Sequence, residues 1–379
     1  MAQDKKERLI FIDILRGLAV IWMIQTHTLS LMANEFKTGL FYSLLNISNG
    51  FVAVTFLFCA GAGFWLAAEK KVSSYKRFEK PLWLYLKRLG FILMLAYFLH
   101  SPIFSLSKLS TLTDKQIMTF FQIDVLQTIV YSSLLALLLL LLTPKNIYIK
   151  YISLILTAVF FIVAQFTWYS NPFEYLPFPF AFFLAAPPIS KFPLFPWAGY
   201  FFAGVGFTAF FMDSSNRERL ARIFLALSII VPTLIFTLKY FGFEYLQGSQ
   251  FWITNPFHAT FRTFGSIFGF TLLFLTEKYY KSNKHVNLLL IPGRESLFLY
   301  ISHLLIVYGS VMNVGIKYFG LMNLTPLGTF LMITAIISLC VSCSIGWHYL
   351  KMNYPRQATN SIYAILFFMF VFFILNYID

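Results

Sequence analysis

Eleven predominantly apolar runs divide this sequence, and each is long enough to cross a bilayer as an α-helix, which takes about 17 to 25 residues. Only 12% of the residues are charged, about half the share found in a soluble domain. The sequence therefore predicts an all-α, polytopic integral membrane protein and excludes a soluble globular one. We place the spans near residues 9–33, 48–68, 89–105, 120–142, 147–166, 194–212, 220–241, 256–275, 294–312, 326–349 and 360–377.

Basic residues are distributed unevenly across these spans. Of the 29 Lys and Arg, 21 fall on the side of the N-terminus and 6 on the other side. The positive-inside rule then predicts a cytoplasmic N-terminus and, with eleven spans, a C-terminus outside. This asymmetry explains the net charge of +14, and because the basic residues form no dense face we expect no nucleic-acid partner.

The two longest segments between spans differ in character. Residues 69–88 are polar and basic, which predicts a cytoplasmic loop, whereas residues 167–193 contain six prolines among many aromatic residues. Because packing keeps apolar side chains out of water, we expect the second segment to be a packed cap. The sequence contains no repeat, low-complexity tail or appended soluble domain, so residues 1–379 are interpreted as one integral domain.

The three cysteines, Cys59, Cys340 and Cys343, all lie inside apolar runs. A disulfide scaffold needs a Cys-rich extracellular domain, and a zinc site needs Cys or His ligands at suitable spacing. Neither pattern is present in the sequence. We therefore expect the cysteines to be packing residues and the protein to use no metal.

Ionisable residues inside the spans are the strongest candidates for chemistry. Each costs about 2.5 to 3.5 kcal/mol on insertion scales, so we expect each to face a cavity or a partner group. A catalytic or binding site is therefore expected among them. They are Asp13, Arg16, His27, His100, Asp124, His258, Arg262, His303 and His348.

The first span carries three of these groups. Asp13 and Arg16 are three residues apart and can pair on one helix face. Arg16 and His27 differ by only about 20° around the helix and lie roughly 16 Å apart along its axis. The spacing predicts a line from a cation near the cytoplasmic side to a histidine near the outer side. A snorkelling Arg with an interfacial His is the alternative.

The same span resembles the first helix of the transmembrane acyltransferase superfamily, which joins acyltransferase family 3 to the heparan-alpha-glucosaminide N-acetyltransferase-like membrane proteins. The shared residues are Asp13, Arg16, Gly17, Ala19, Met23 and His27. Further matches follow in order up to about residue 310, and small bacterial relatives of the heparan enzyme are the most similar branch. They are residues 56–58 with Gly61 and Gly63, Lys87 with Arg88, residues 124–127, residues 192–197 with Gly204, and residues 293–297 with Tyr300 and His303.

This resemblance implies an enzyme of the bacterial cytoplasmic membrane. It would take an acyl group, acetyl by its closest branch, from cytoplasmic acyl-CoA and pass it to an extracytoplasmic sugar or glycan of the cell envelope. The distance from Arg16 to His27 is of the same order as the length of a pantetheine arm. His27 would act as general base or as acyl-accepting nucleophile. The heparan branch is expected to carry Asn at this position and His in the next loop, but residues 28–50 contain no His.

His303 and Asp124 complete the predicted catalytic set. His303, in the ninth span, could stand beside the thioester or transfer a proton, or could simply bond to a neighbouring span. Asp124, at the outer start of the fourth span, could orient a His or bind sugar hydroxyls. The alternative for Asp124 is a carboxylate favoured by the helix dipole. His100 and His348 lie near span ends and receive no role.

Coenzyme binding is assigned to cations that the resemblance and the basic inner surface single out. Lys87 and Arg88 lie where the chain re-enters the membrane after the basic loop, and we choose these two for the coenzyme phosphates. Since every inner loop is basic, other cations could serve instead. The set is Arg16, Lys87, Arg88 and Arg294.

Acceptor binding is assigned to polar or aromatic residues near the outer ends of spans. Two of them, His258 and Arg262, are four residues apart and share a helix face. An Arg that merely snorkels to the interface is the alternative for Arg262. The set is His258, Arg262, Gln127 and Trp197.

Two other classes of function stay open. A secondary transporter would usually show internal repeats and paired broken helices, which the sequence lacks. A structural protein of the envelope would not need an Arg and a His aligned along one span. The expected partners are the lipid bilayer, acyl-CoA and an extracytoplasmic sugar. A homodimer, the acceptor and the acyl chain length are left open.

Overall fold

The protein is described here from a computed structural model that covers residues 9–145, 147–242, 254–283, 286–319 and 323–376. It is 80% helical, and one short antiparallel pair, β1 (Gly309–Ser310) and β2 (Asn313–Val314), follows the thirteenth helix. The helices are α1 (Ile10–Leu29), α2 (Gly39–Ala68), α3 (Val72–Lys76), α4 (Lys80–Leu99), α5 (Asp114–Phe121), α6 (Val125–Leu142), α7 (Ile147–Thr167), α8 (Phe178–Ala181), α9 (Leu194–Asp213), α10 (Arg217–Tyr240), α11 (Pro256–Tyr280), α12 (Val286–Arg294), α13 (Ser296–Val307), α14 (Pro326–Asn353) and α15 (Pro355–Leu375).

Ten helices in the described residues are long and apolar enough to cross a membrane, and the bent pair α12–α13 raises the number to eleven. Four of the long helices, α4, α11, α14 and α15, begin with a proline in the first turn, where its missing N–H has no helical partner to lose. The predicted all-α polytopic membrane fold is confirmed.

The first helix defines two sides of the bundle. We call the side where α1 begins the N side and the side where it ends the far side. Successive spans alternate in direction. The last helix ends on the far side, because the Leu106 N–H, beyond the far end of α4, donates to the Phe373 carbonyl of α15 at 2.9 Å. The described chain therefore begins and ends on opposite sides.

Helix α1 lies inside the bundle. It contacts α2, α11, α12, α13 and α14, and three of its large side chains, Phe11, Val20 and Ile24, are fully buried. Because other helices surround α1, its polar side chains can face protein and cavities rather than lipid. This placement is what makes the polar groups of α1 available for chemistry.

Helices α2 and α9 approach each other through glycines. A Cβ atom on Gly61 would lie 1.9 Å from the Phe201 carbonyl oxygen, and one on Gly204 would lie 2.0 Å from the Phe58 carbonyl oxygen. Only glycine allows two helix backbones to come this close in a membrane. The contact sets the position of α2, which lines both cavities described below.

The ninth predicted span, residues 294–312, begins at a bend. Helices α12 and α13 meet at Glu295 at an angle of 81°, and α13 ends at Val307, before the predicted end of the span. The Glu295 carboxylate is buried and accepts hydrogen bonds from His348 Nδ1 at 2.8 Å and Lys351 Nζ at 2.7 Å, both on α14. Hydropathy cannot detect this break, because both flanks are apolar and the partners lie far along the chain. His348, left without a role above, thus stabilises the bend.

The segment predicted as a polar loop, residues 69–88, is mostly helical. A 3₁₀ turn (Glu69–Lys71) and α3 extend from α2, and α4 already begins at Lys80. Val72 and Tyr75 are buried against the core, which explains why this basic segment is ordered as helix. The apolar window misses helix ends that project beyond the hydrocarbon region.

The proline- and aromatic-rich segment on the far side is packed, as predicted. Phe182 is fully buried and makes edge-to-face contacts with Phe173 and Phe178. The hydroxyl of Ser190, also buried, donates to the Phe182 carbonyl at 2.8 Å and accepts from the Ile123 N–H at 3.2 Å. The cap therefore fixes the chain just before α6.

Candidate functional site

Two cavities open toward opposite sides of the bundle beside α1. The N-side cavity measures about 530 Å³ and is lined by residues of α1, α2, α3, α4, α6 and α13. The far-side cavity measures about 760 Å³ and is lined by α1, α2, α4, α6, α9, α11, α13 and the cap. Arg16 lines the first and His27 lines the second. The two α1 residues singled out by spacing therefore lie in different compartments.

Positive charge dominates the N-side cavity. Its lining includes four cations and no carboxylate. The Arg16 guanidinium donates to the Cys59 carbonyl at 3.3 Å and lies against Gly63, where a Cβ would come within 2.8 Å of it. Within the described chain, none of the four cations has a carboxylate partner. They are Arg16, Lys71, Lys80 and Arg88.

A second N-side cavity of about 730 Å³ adjoins the first through Arg16, Gly63 and Ala67. Lys70 and Arg217 add cations to its lining, and Asp13 and Glu69 add carboxylates. Arg16 therefore stands at the boundary between two spaces on the same side of the membrane. An elongated ligand with several anionic groups could extend across that boundary.

Only a thin apolar layer separates the N-side cavity from the far-side cavity. Val125 lines the far-side cavity, and its neighbour Leu126 lines the N-side cavity. Phe56 of the N-side cavity stacks on Tyr300 of the far-side cavity, with ring centroids 6.0 Å apart and 15° between the planes. On α13, Leu297 and Tyr300 line the two cavities one helical turn apart, a rise of about 5 Å.

His27 forms the polar centre of the far-side cavity. Its Nδ1 is 3.0 Å from the Tyr308 hydroxyl, which also lies 3.5 Å from the Ser30 hydroxyl. With Nδ1 engaged, Nε2 is the ring nitrogen left for chemistry. The His303 ring packs beside it, with centroids 5.2 Å apart. Tyr308 follows α13 directly, and sequence reasoning missed it because nothing local links it to His27.

His303 is fully buried behind His27. Its Nδ1–H donates to the Leu299 carbonyl at 2.7 Å, so the proton is held on Nδ1 and Nε2 carries a lone pair. Among the described residues, this Nε2 has no hydrogen-bond partner. His303 Nε2 is thus a buried hydrogen-bond acceptor without a donor, and it lies beside a second imidazole. Such a nitrogen could take up a proton transiently.

Asp124 and His100 form a pair at the far-side cavity. His100 Nε2 lies 3.1 Å from Asp124 Oδ2, while Asp124 Oδ1 accepts from the Val125 N–H at 2.6 Å. Burial raises the pKa of Asp124, but His100, Lys191 and the Val125 N–H outweigh it and lower the pKa to about 2. The histidine next to the Asp124 carboxylate is thus His100, which the sequence left without a role.

Gln127 has a local structural contact. Its Oε1 accepts from the Asp124 N–H at 3.2 Å, which completes a capping box with Asp124 at the start of α6. Its Nε2 donates to the Gln122 carbonyl at 3.4 Å, and the side chain is fully buried. The fourth span therefore begins at Val125, whereas its apolar pattern predicted a start near residue 120. Gln127 does not line the far-side cavity.

Three other predicted residues lie outside the N-side and far-side cavities. Lys87 Nζ donates to the Tyr363 hydroxyl of α15 at 3.2 Å and does not line the N-side cavity. Arg294 Nε is 3.7 Å from Asp13 Oδ2, so Asp13 pairs across to α12 and not simply along α1 with Arg16. His258 is buried but does not line the far-side cavity, whereas Arg262 and Trp197 do.

Comparison with protein families identifies one match. The family model described as heparan-alpha-glucosaminide N-acetyltransferase, catalytic, matches residues 8–238. This region contains Arg16, His27 and Asp124 and ends before α11, so the resemblance noted around His303 lies outside it. A comparison with curated proteins finds no match. Because the match to this family model covers more than half of the chain, the protein belongs to the heparan-alpha-glucosaminide N-acetyltransferase catalytic family, a family of membrane acetyltransferases.

Proposed function

We propose that this protein transfers an acetyl group from acetyl-CoA, bound in the N-side cavity, to a sugar hydroxyl or amine, bound in the far-side cavity. The N side would face the cytoplasm of a bacterial cell and the far side its envelope. His27 would receive the proton of the acceptor or carry the acyl group. The coenzyme phosphates would be bound by Arg16 and Arg88 together with Lys71 and Lys80.

The single observation that carries this proposal is the thin layer between the two cavities. A ligand anchored by its anionic end among the N-side cations needs to cross only about one helical turn of apolar side chains to reach the space beside His27. A thioester on a long arm meets this requirement, because its charge and its reactive carbon are far apart.

The charges of the N-side cavity support a polyphosphate donor. Four cations without a carboxylate partner in the described residues would repel one another unless an anion joined them. Arg offers paired donors that match phosphate oxygens, and Lys offers a compact charge. Acetyl-CoA supplies several phosphate charges on the cytoplasmic side, where it is made.

In the direct route, Nε2 of His27 takes the proton from the acceptor while the acceptor oxygen or nitrogen attacks the thioester carbon. The carbon–sulfur bond breaks, and CoA leaves as a thiolate that takes up the proton from His27. Tyr308 at Nδ1 would hold the imidazole in place. In the covalent route, Nε2 attacks the thioester carbon and CoA leaves as a thiolate. The acceptor then attacks the acyl carbon, the bond to Nε2 breaks, and the freed imidazole takes up the proton of the acceptor.

The test uses the full-length protein in nanodiscs with radiolabelled acetyl-CoA and methyl β-D-glucosaminide, which offers both an amine and hydroxyls. Transfer of label to the glycoside is the expected result. Rapid quenching without glycoside separates the two routes, because only the covalent route leaves label on the protein. If the protein neither binds acetyl-CoA nor hydrolyses or transfers its acetyl group, the proposal is wrong and transport becomes the better explanation.

A further inference from the structure

Resting on the proposed function, we infer that the acceptor carries an anionic group, a carboxylate or a phosphate, and that Arg262 with Lys191 binds it in the far-side cavity. The inference names a class of acceptor that the family match leaves open. It starts from Arg262, a cation that lies within a span and faces the far-side cavity.

Arg262 lies within a membrane span and faces the far-side cavity. It is about 9 Å from the start of α11 along the helix axis. Its guanidinium rests on the backbone of Gly50 in α2, where a Cβ would come within 2.7 Å of it. Both residues line the cavity. Contact with Gly50 thus aims the guanidinium at the cavity space, away from lipid.

No carboxylate of the described residues pairs with Arg262. The neutral Tyr200 side chain lies near Arg262 and leaves its charge uncompensated. By contrast, Lys150 pairs with Asp213 at 2.7 Å, and Lys351 pairs with Glu295 at 2.6 Å. A cation within a span is costly, so an uncompensated one that faces a cavity indicates a ligand of opposite charge.

The charges of the other residues that line the far-side cavity also favour an anionic ligand. Lys191 adds a second cation, which lies near enough to Asp124 to lower the pKa of that carboxyl. Asp124 is the single carboxylate among the lining residues, and it is already engaged by His100. The cavity therefore carries more positive than negative charge. A neutral sugar would leave the charge of Arg262 uncompensated, whereas a carboxylate or phosphate could accept two parallel hydrogen bonds from it.

The position of the pair also fits an acceptor. Arg262 and His27 line the same cavity, so an anion held at Arg262 would keep the sugar ring next to the reactive imidazole. Asn46, Asn49 and Thr26 line the same space and offer neutral partners for sugar hydroxyls. The anion would anchor the acceptor, and the hydroxyl partners would orient it.

The experiment compares two sugars that differ at one carbon, methyl β-D-glucoside and methyl β-D-glucuronide, for binding to the full protein in zwitterionic nanodiscs without acetyl-CoA. We expect the glucuronide to bind at least ten-fold more tightly, and this preference to shrink as salt rises. Glucose 6-phosphate tests the phosphate form of the same chemistry. Equal affinity for glucoside and glucuronide, or no measurable binding of either, would overturn the inference.

Variants identify the residue responsible. Arg262→Gln should abolish the preference, Arg262→Lys should retain part of it, and Lys115→Gln, a charge change on exposed α5 outside the cavity, should leave it intact. If Arg262→Gln does not fold, Gly50→Ala displaces the guanidinium and serves in its place. A preference that survives both Arg262→Gln and Gly50→Ala would also overturn the inference.

Two further arms separate the remaining possibilities. Nanodiscs containing phosphatidylglycerol show whether a lipid headgroup supplies the anion, since it would then compete with the glucuronide. The binding assay contains no acetyl-CoA, so it does not depend on acetyl transfer. If the protein prefers the glucuronide in this assay but transfers no acetyl group, only the proposed function is contradicted. Transfer to glucoside and glucuronide at equal KM contradicts only this inference.

Discussion

At the scale of single residues, the chemistry of this protein depends on which partner each polar side chain meets. His27 lies between the Tyr308 hydroxyl and the His303 ring, and both contacts join segments far apart in the chain. The sequence supplied His27 and His303 as candidates, but the pairing of His27 Nδ1 with Tyr308 emerges only from the way α13 ends beside α1.

The replacement His27→Ala should leave the fold intact, because removing a polar group from a span is neutral or favourable for insertion. Acetyl transfer should fall by about 10²- to 10⁴-fold if His27 is a general base. The measurement is single-turnover transfer by parent and variant at equal folded concentration. A folded variant with parental activity would rule out His27 and leave His303 as the histidine to test.

Neighbouring cations on α4 provide a matched test of the donor site. Arg88 lines the N-side cavity, whereas Lys87 points away to Tyr363. Arg88→Ala should weaken acetyl-CoA binding by about 1.5 to 3 kcal/mol through loss of a charge-assisted hydrogen bond. Lys87→Ala should bind acetyl-CoA like the parent. The reverse order of the two affinities, measured by calorimetry, would move the phosphate site to the other face of α4.

The Asp124 carboxylate should make stability depend on acidity. Its pKa is lowered to about 2, below the unfolded value near 3.9, so its stabilising contribution is complete above the unfolded pKa and is lost as pH falls toward 2. Asp124→Asn keeps a capping side chain but removes the charge. The parent should exceed this variant by about 2 kcal/mol at pH 6 and lose that advantage by pH 2. Thermal unfolding in nanodiscs measures the stability of the parent and of the variant at both pH values. A stability difference that does not change with pH would contradict the lowered pKa of Asp124.

At the scale of elements, helix contacts decide where the cavities can form. Helix α2 lines both cavities, and its place is set by the glycine contact with α9. Helix α13 also lines both, and its direction is set by the break at Glu295. Each of these two features is a short-range contact between elements that are distant in the chain, which explains why the apolar pattern alone did not predict the bend before α13.

A glycine pair tests the α2–α9 contact. Gly61→Ala would place a Cβ 1.9 Å from the Phe201 carbonyl oxygen, so the backbones must separate and stability should fall by about 1 to 3 kcal/mol. Gly90→Ala, on α4, meets nothing within 4 Å and should be neutral or slightly stabilising. Melting temperatures of both variants provide the comparison. Equal melting of Gly61→Ala and the parent would show that the helices can part without cost.

At the scale of the whole molecule, the number of crossings sets where the termini lie. The bent pair α12–α13 counts as one crossing, because Tyr308, just after it, reaches His27 on the far side. With this crossing the described chain begins on the N side and ends on the far side. The orientation of these sides in the cell is a prediction from the distribution of basic residues.

Reporter fusions test that orientation. A reporter active only outside the cytoplasm should give signal when fused after Asp379 and should be silent when inserted at Ser215, in the exposed N-side turn between α9 and α10. Insertion in a turn avoids the helical segment at residues 69–88. Signal from Ser215 would reverse the orientation and move the proposed donor site to the outside of the cell.

The apolar runs, the uneven basic residues and the Arg16–His27 spacing determined the fold class, the expected topology and the residue at the centre of the far-side cavity, because these properties are local or periodic along one helix. The tertiary structure decided which charges are compensated. It paired Asp13 with Arg294 and His100 with Asp124, turned Lys87 toward Tyr363, and left Arg88 and Arg262 facing cavities. Compensation depends on distances of a few ångströms between separate helices, and no pattern along the chain encodes those distances.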